Sequence, residues 1–185
     1  MMERIELPSG RLIHVFDDVF TFTQREMMYE VVKNIPYFIQ GGSTTDIQNF
    51  SDVALQSMFT YDQYTKFGLL YSKDREYMDM IKQYQAHRFY SLLMNYSLKP
   101  HYHTDTKGVP AVTLLYYANL EWNPDWGGET MFTDDNDLNK IVYTSAYKPG
   151  RVVLFDSEIP HKACPPSYHA SHYRFTVVAN MQKSQ

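Results

Sequence analysis

The chain has 185 residues, a formal net charge of −4 and one cysteine, Cys164. A chain of this length can bury a substantial core without disulfides, so we expect a single domain over residues 1–185. The lone cysteine and the lack of a secretory signal predict a cytoplasmic protein. The sequence contains no run of about 20 apolar residues, so it predicts no membrane span. Because dense basic runs are absent, we do not expect a nucleic-acid partner, and the oligomeric state stays open.

The first part of the chain predicts helices that support a later sheet. Residues 11–20 are typical of a strand that runs into a turn. Thr23 and Glu26 fit a capping box, which predicts a helix that ends before Pro36. Apolar residues at helical spacing predict a second helix over residues 75–84.

The polar segment 38–60 between these helices has two interpretations. It opens with Gly41-Gly42-Ser43-Thr44-Thr45-Asp46 and carries no clear periodicity. One interpretation is a lid over a binding site, and the other is a solvated connector without a special role.

From residue 87 onward the pattern changes to short strands. The predicted strands cover residues 87–96, 112–117, 130–132, 141–145, 151–155 and 173–179. Helices followed by many short strands favour an α+β, mostly β fold, with helices on one face of an antiparallel sandwich or jelly roll. We therefore expect residues 1–86 to form a helical support that includes the candidate lid, and residues 87–181 to form the β core.

Two histidines and one carboxylate form a candidate metal site. His103 and Asp105 are two positions apart, so on a strand they would share one face. His161 follows the apolar run 152–155 and is the third candidate. This set would hold one face of an octahedral iron and leave other positions open, whereas His101 in place of Asp105 would suit zinc or copper. We prefer Asp105, because a carboxylate keeps iron electron-rich and accessible.

Arg174 is a candidate for binding an anionic co-substrate. Ferrous iron, the Asp105 carboxylate and a 2-oxoacid dicarboxylate sum to one negative charge, which one arginine would neutralise. A guanidinium binds a carboxylate through two parallel hydrogen bonds, and Thr176 on the same strand face could add a hydroxyl contact. The alternative, a surface arginine paired with an acid, is disfavoured by the apolar strand around it.

Six motifs in order give the second half of the chain a family resemblance. They are His103-Thr104-Asp105, Leu115-Tyr116-Tyr117-Ala118-Asn119, Gly127-Gly128-Glu129-Thr130-Met131-Phe132, Lys148-Pro149-Gly150-Arg151-Val152-Val153-Leu154-Phe155, His161 and Arg174-Phe175-Thr176. Together they resemble the Fe(II)/2-oxoglutarate-dependent dioxygenases of the prolyl 4-hydroxylase type, over about residues 87–181. The first 80 residues are similar to these enzymes only in outline.

The resemblance implies a distorted double-stranded β-helix, a cupin-like jelly roll, with Fe(II) bound by His103, Asp105 and His161. It implies 2-oxoglutarate and O2 as co-substrates, ascorbate as a candidate reductant, and Arg174 as the partner of the 5-carboxylate. Tyr117 matches a family tyrosine that binds this carboxylate or lines its pocket. No catalytic acid or base separate from the metal ligands is expected. Collagen-type enzymes carry lysine where Arg174 stands, so the likeness is closer to the arginine-bearing branch.

The resemblance predicts hydroxylation of an unactivated C–H bond with release of succinate and CO2. The leading substrate is a prolyl residue in a peptide or protein. A second interpretation keeps the reaction but acts on a free amino acid, another small molecule or a lysyl residue. A third is a non-catalytic cupin-like metal-binding module, or a zinc enzyme that uses His101.

Overall fold

The computed structural model describes residues 2–40 and 54–184. The described helices are α1 (Phe22–Asn34), α2 (Tyr61–Phe67) and α3 (Arg75–Ile81). The described strands are β1 (Met2–Glu6), β2 (Leu12–Phe16), β3 (Phe38–Gln40), β4 (Ala54–Met58), β5 (Tyr84–Met94), β6 (Ala111–Tyr117), β7 (Thr130–Asp134), β8 (Asp137–Ser145), β9 (Val152–Asp156), β10 (His161–Ala163) and β11 (Arg174–Lys183).

The strands form two antiparallel sheets. The large sheet has the order β1-β2-β9-β6-β11-β5-β4-β3, and the small sheet has the order β10-β7-β8. A bridge between His103 and His161 adds one more segment beside β10. Sheets of non-consecutive antiparallel strands are typical of a jelly roll, so the predicted mostly β, double-stranded β-helix fold is confirmed.

Alternation along the central strands separates two hydrophobic clusters. On β6, Leu114 and Tyr116 pack in a cluster that contains residues of all three helices, which we call the helix-side cluster. Leu115 and Tyr117 pack in a second cluster. The second cluster contains Phe132 of β7, so it lies between the two sheets. Successive strand residues point to opposite faces, and we call the face that carries Leu115 and Tyr117 the inner face.

The predicted capping box of the first helix is wrong by two residues. The backbone of Thr21 is extended, and its hydroxyl accepts a hydrogen bond from the Gln24 amide at 3.3 Å. The Gln24 side chain accepts one from the Thr21 amide at 2.9 Å, which completes the box. Thr23 and Glu26 therefore lie inside the helix. The end of α1 before Pro36 agrees with the prediction.

The first part of the chain is more than helical support. Strands β1 to β4 join the large sheet, and β1, β3, β4 and α2 were not predicted. The helix predicted over residues 75–84 is α3, and it ends at Ile81 because Tyr84 begins β5. Of the predicted lid, residues 41–53 lie outside the described residues, and its ends form the pair β3–β4.

Helices of the described segments are all short. None of them is both long and apolar enough to span a membrane.

Candidate metal centre

His103, Asp105 and His161 come together beside the core between the sheets. Nε2 of His103 lies 3.9 Å from Oδ1 of Asp105, and Nε2 of His161 lies 3.7 Å from Oδ2. One ligand atom from each residue lies within 4.8 Å of the others. The rings of His161 and Phe155 are 4.7 Å apart, which links the group to the core. All three side chains could therefore hold a single ion.

The backbone brings these residues together differently from the sequence prediction. His103 and Asp105 do not lie on a regular strand, since only His103 is in a β-bridge and Asp105 is in a bend. His103 and His161 exchange backbone hydrogen bonds of 3.0 and 2.9 Å, and the Asp105 amide donates to Ser157 at 2.9 Å. His161 begins β10 in the small sheet, because a turn after β9 carries the chain across. Bridge hydrogen bonds, rather than the pleat of one strand, orient the site.

Both imidazoles are oriented for metal binding through Nε2. Nδ1 of His161 lies 3.0 Å from the Ile159 carbonyl, and Nδ1 of His103 lies 3.1 Å from the His101 carbonyl. A ring that donates its Nδ1–H to a carbonyl keeps the Nε2 lone pair for an ion. Burial lowers the pKa of His161, and the Asp105 carboxylate opposes this without cancelling it. His161 is thus held in the neutral form that binds metals.

A chain of hydrogen bonds orients the carboxylate of Asp105. The Thr113 hydroxyl on β6 donates to Oδ2 at 2.6 Å. Oγ1 of Thr113 in turn accepts from the Asn180 side-chain amide at 3.2 Å and lies 2.8 Å from the Ser157 hydroxyl. Such contacts fix a ligand and tune the metal. Sequence reasoning missed these three residues, and the available signal was a polar Thr113 at an inward position of an apolar strand.

Exposure of the three ligands differs. The His103 side chain is 45% exposed, whereas those of Asp105 and His161 are 10% and 9% exposed. Solvent and ligands therefore reach the site from the His103 side. Among the described residues, the group that could hold a metal contains only these three. His101 is outside this group, and its ring centre is 5.8 Å from that of His103.

Arg174 is completely buried and has no acidic partner among the residues the structure describes. Its Nε donates to the Gly128 carbonyl at 2.7 Å, and Nη2 donates to the Thr130 hydroxyl at 3.2 Å. Nη1 is buried and has no hydrogen-bond partner within residues 2–40 and 54–184. A buried cation with an unsatisfied donor is costly unless an anion pairs with it. The site therefore fits a carboxylate ligand.

Two stacked tyrosines lie beside the Arg174 guanidinium. It lies 5.5 Å from the Tyr117 ring centre and 5.1 Å from that of Tyr147, and the two rings are 4.6 Å apart. The Tyr117 hydroxyl donates to the Thr130 hydroxyl at 2.9 Å. The Thr176 hydroxyl is buried and has no partner in the described segments. Sequence reasoning identified Tyr117 and Thr176 but missed Tyr147, which lies outside the matching motifs.

Gly128 lets the backbone approach Arg174 closely. It has φ +84°, and a Cβ there would lie 3.1 Å from the Trp122 ring and 3.4 Å from Cδ of Arg174. A side chain would therefore meet both strain and crowding. Glycine at this position keeps the carbonyl that accepts from Arg174 in place.

A sequence model of the 2OG-Fe(II) oxygenase superfamily matches residues 83–182, which is just over half of the chain. All three ligand candidates and Arg174 lie within that stretch. A comparison with curated proteins finds no match.

Several solved structures are similar to the fold at low sequence identity. A prolyl hydroxylase from Trichoplax adhaerens, in complex with a hypoxia-inducible factor degradation-domain peptide, is 14% identical with a TM-score of 0.61, covering 92% of this chain and 83% of its own. A Pseudomonas putida prolyl-4-hydroxylase is 15% identical with a TM-score of 0.57, covering 93% and 92%. HygX from Streptomyces hygroscopicus, with nickel and 2-oxoglutarate bound, is 11% identical with a TM-score of 0.58, covering 93% and 83%. At such identities these structures support the fold alone.

Proposed function

Because this chain belongs to the 2OG-Fe(II) oxygenase superfamily, we propose that it hydroxylates a prolyl residue in a peptide or protein. The family uses Fe(II), 2-oxoglutarate and O2. Our proposal assigns Fe(II) to His103, Asp105 and His161, and it assigns the co-substrate to the space between this group and Arg174. Residues 1–185 would act as one catalytic unit, which the joining of β1–β4 to the large sheet supports.

The donor set fits ferrous iron. Two neutral imidazoles and one carboxylate leave open positions for a co-substrate and O2, whereas structural zinc sites are closed by four protein ligands. Nδ1 of each histidine ring contacts a backbone carbonyl, and the Asp105 carboxylate accepts a hydrogen bond from Thr113. These contacts hold the three ligands in place and support a preformed site.

The single observation that carries the assignment of 2-oxoglutarate is that buried Arg174 has no acidic partner among the described residues. Its free Nη1 donor would take one oxygen of the 5-carboxylate, and the Thr176 hydroxyl would be a second donor in the same pocket. The rings of Tyr117 and Tyr147 exclude water around this pair and strengthen its electrostatic attraction.

When bound, iron and 2-oxoglutarate would supply the oxidation, in which O2 is consumed and succinate and CO2 are released. The residues of this chain would bind, orient and shield the reactants. We assign no acid or base separate from the metal ligands, since the metal and its co-substrate would supply the oxidation. Ascorbate is a candidate reductant that keeps the metal ferrous.

The prolyl substrate is proposed from the likeness to prolyl hydroxylases, and a mass-spectrometric assay tests it. Purified protein would be incubated with Fe(II), 2-oxoglutarate, O2 and proline-containing peptides, with Asp105→Ala as the inactive control. We expect one added oxygen on a proline and matching succinate. Oxygen on a lysyl residue or on a free amino acid would reject the prolyl substrate but keep the reaction. Folded wild-type protein that binds metal without any succinate would support a non-catalytic module.

A further inference from the structure

A row of cross-strand neighbours leads from the metal site to Arg88 on β5. The Thr113 hydroxyl donates a hydrogen bond to Asp105. In the strand register, Thr113 lies opposite Asn180 of β11, and Asn180 lies opposite Arg88. Neighbouring strands are about 4.8 Å apart, so the Arg88 backbone lies roughly 10 Å from that of Thr113. An extended arginine side chain can cover much of this distance.

The side chain of Arg88 lies on the inner face. Its guanidinium is 4.7 Å from the ring centre of Tyr90, and Tyr90 belongs to the cluster between the sheets. Phe89, between them in sequence, packs in the helix-side cluster. The β5–β11 register shifts beside this position, where Asn180 opposes Arg88. Bulges of this kind often re-aim side chains near functional sites.

Arg88 is a cation without an acidic partner in the part of the chain that the structure describes. It is exposed, and its contact among the described residues is the ring of Tyr90. Arg11 and Arg151, by contrast, each pair with carboxylates at 2.9 Å or less. Burial raises the pKa of Tyr90, the Asp105 charge raises it further, and Arg88 opposes both, which agrees with Tyr90 lying within reach of both charges.

We propose that Arg88 is a specificity-determining residue that binds a carboxylate of the substrate. Resting on the proposed function, this assigns the substrate class: a molecule with a carboxylate near the C–H bond that is hydroxylated. The planar fork of arginine suits two parallel hydrogen bonds to a carboxylate, and the Tyr90 ring holds the fork in place. The carboxylate would come either from an acidic residue of a peptide or from a free amino acid.

Paired acid and amide substrates test this assignment. One arm compares proline peptides that carry Asp or Glu with the same peptides carrying Asn or Gln. The other compares free amino acids, including L-proline, with their amides. Substrate-dependent succinate and oxygen incorporation are measured with the wild type, Arg88→Gln and Arg88→Lys. Arg75→Gln is the matched control, because its side chain is 93% exposed on α3 and is not part of the site.

We expect the wild type to prefer acid forms, and the arm in which they react identifies the source of the carboxylate. Arg88→Gln should raise KM for the acid form about 10- to 100-fold, change kcat less and leave the amide form unaffected, while Arg88→Lys restores part of the loss. Succinate formed without substrate should stay unchanged. If wild-type succinate forms but no acid form exceeds its amide, or if Arg88→Gln keeps the preference, the Arg88 assignment is overturned. Complete absence of Fe(II)- and 2-oxoglutarate-dependent succinate overturns the proposed function as well.

Discussion

Asp105 is the residue on which the support of the site converges. Its backbone is held by Ser157, and its carboxylate is held by Thr113, which is held in turn by Asn180. These contacts come from three separate strands or strand ends of the large sheet. The metal ligand is therefore oriented by the sheet itself rather than by its own loop.

Replacing Thr113 by valine should weaken metal binding while the fold is kept. Valine has nearly the shape of threonine but cannot donate to Asp105, and it leaves the Asn180 amide without its acceptor. Loss of such a contact typically reduces metal affinity about 10- to 100-fold. Anaerobic Fe(II) titration would measure this. Thr113→Ser should stay close to wild type, and so should Thr65→Val on α2, which is not part of the site. Equal affinity in Thr113→Val and wild type would reject the role.

For single residues, the sequence predicts candidate ligands better than it predicts the side chains that orient them. His161 and Arg174 can be selected because an imidazole and a guanidinium are unusual beside apolar runs, and His103 and Asp105 because they lie two positions apart. The supporting hydroxyl of Thr113 is common in strands, and its partner Asn180 is 67 positions away. Only the sheet register brings such residues together.

Helix α1 illustrates how elements are positioned. Thr21 and Thr23 each begin a sequence that fits a capping box, so the local pattern does not choose between them. Val19 and Phe20 are buried in the helix-side cluster and hold the chain before the helix. Packing of these residues therefore selects Thr21. Packing also decides where short strands such as β1 and β4 form. Their residues show little hydrophobic alternation, so the sequence did not predict them.

Alanine substitution should distinguish the two threonines. Thr21→Ala removes the hydroxyl that accepts from the Gln24 amide and should lower the free energy of unfolding by about 1 kcal/mol. Thr23→Ala, at an exposed position inside the helix, should change it by less than about 0.5 kcal/mol. Urea unfolding at neutral pH measures both. A larger loss at Thr23 would contradict the observed cap.

Across the whole molecule, a partly buried ion pair joins the chain after β2 to the start of β9. Arg151 donates to both carboxylate oxygens of Asp17 at 2.8 and 2.9 Å, and Lys148 lies 3.1 Å away. Burial opposes ionisation of Asp17, but its bonds to Arg151 and Lys148 outweigh burial and lower its pKa. The residues are 134 positions apart, so the sequence could not identify which acid pairs with Arg151.

This pair predicts a specific pH dependence of stability. Because the pKa of Asp17 is lower in the folded state, its stabilisation is present above the ordinary value of 3.8 and is lost as pH falls through the folded value. Asp17→Asn should therefore reduce the free energy of unfolding by about 1–2 kcal/mol at pH 7. The difference from wild type should shrink below pH 3.8. Urea unfolding across this range would detect it, and a constant difference would contradict the assignment.

The central claim is that the chain binds Fe(II) with 2-oxoglutarate, and an anaerobic titration tests it most directly. Adding 2-oxoglutarate to the protein with Fe(II) should produce the weak visible charge-transfer band of a bidentate complex, saturating with co-substrate. Arg174→Gln should need about 10- to 100-fold more 2-oxoglutarate and bind Fe(II) normally, because only the carboxylate partner is lost. His161→Ala should give no band. A folded wild-type protein that binds Fe(II) but develops no band with 2-oxoglutarate would contradict the claim.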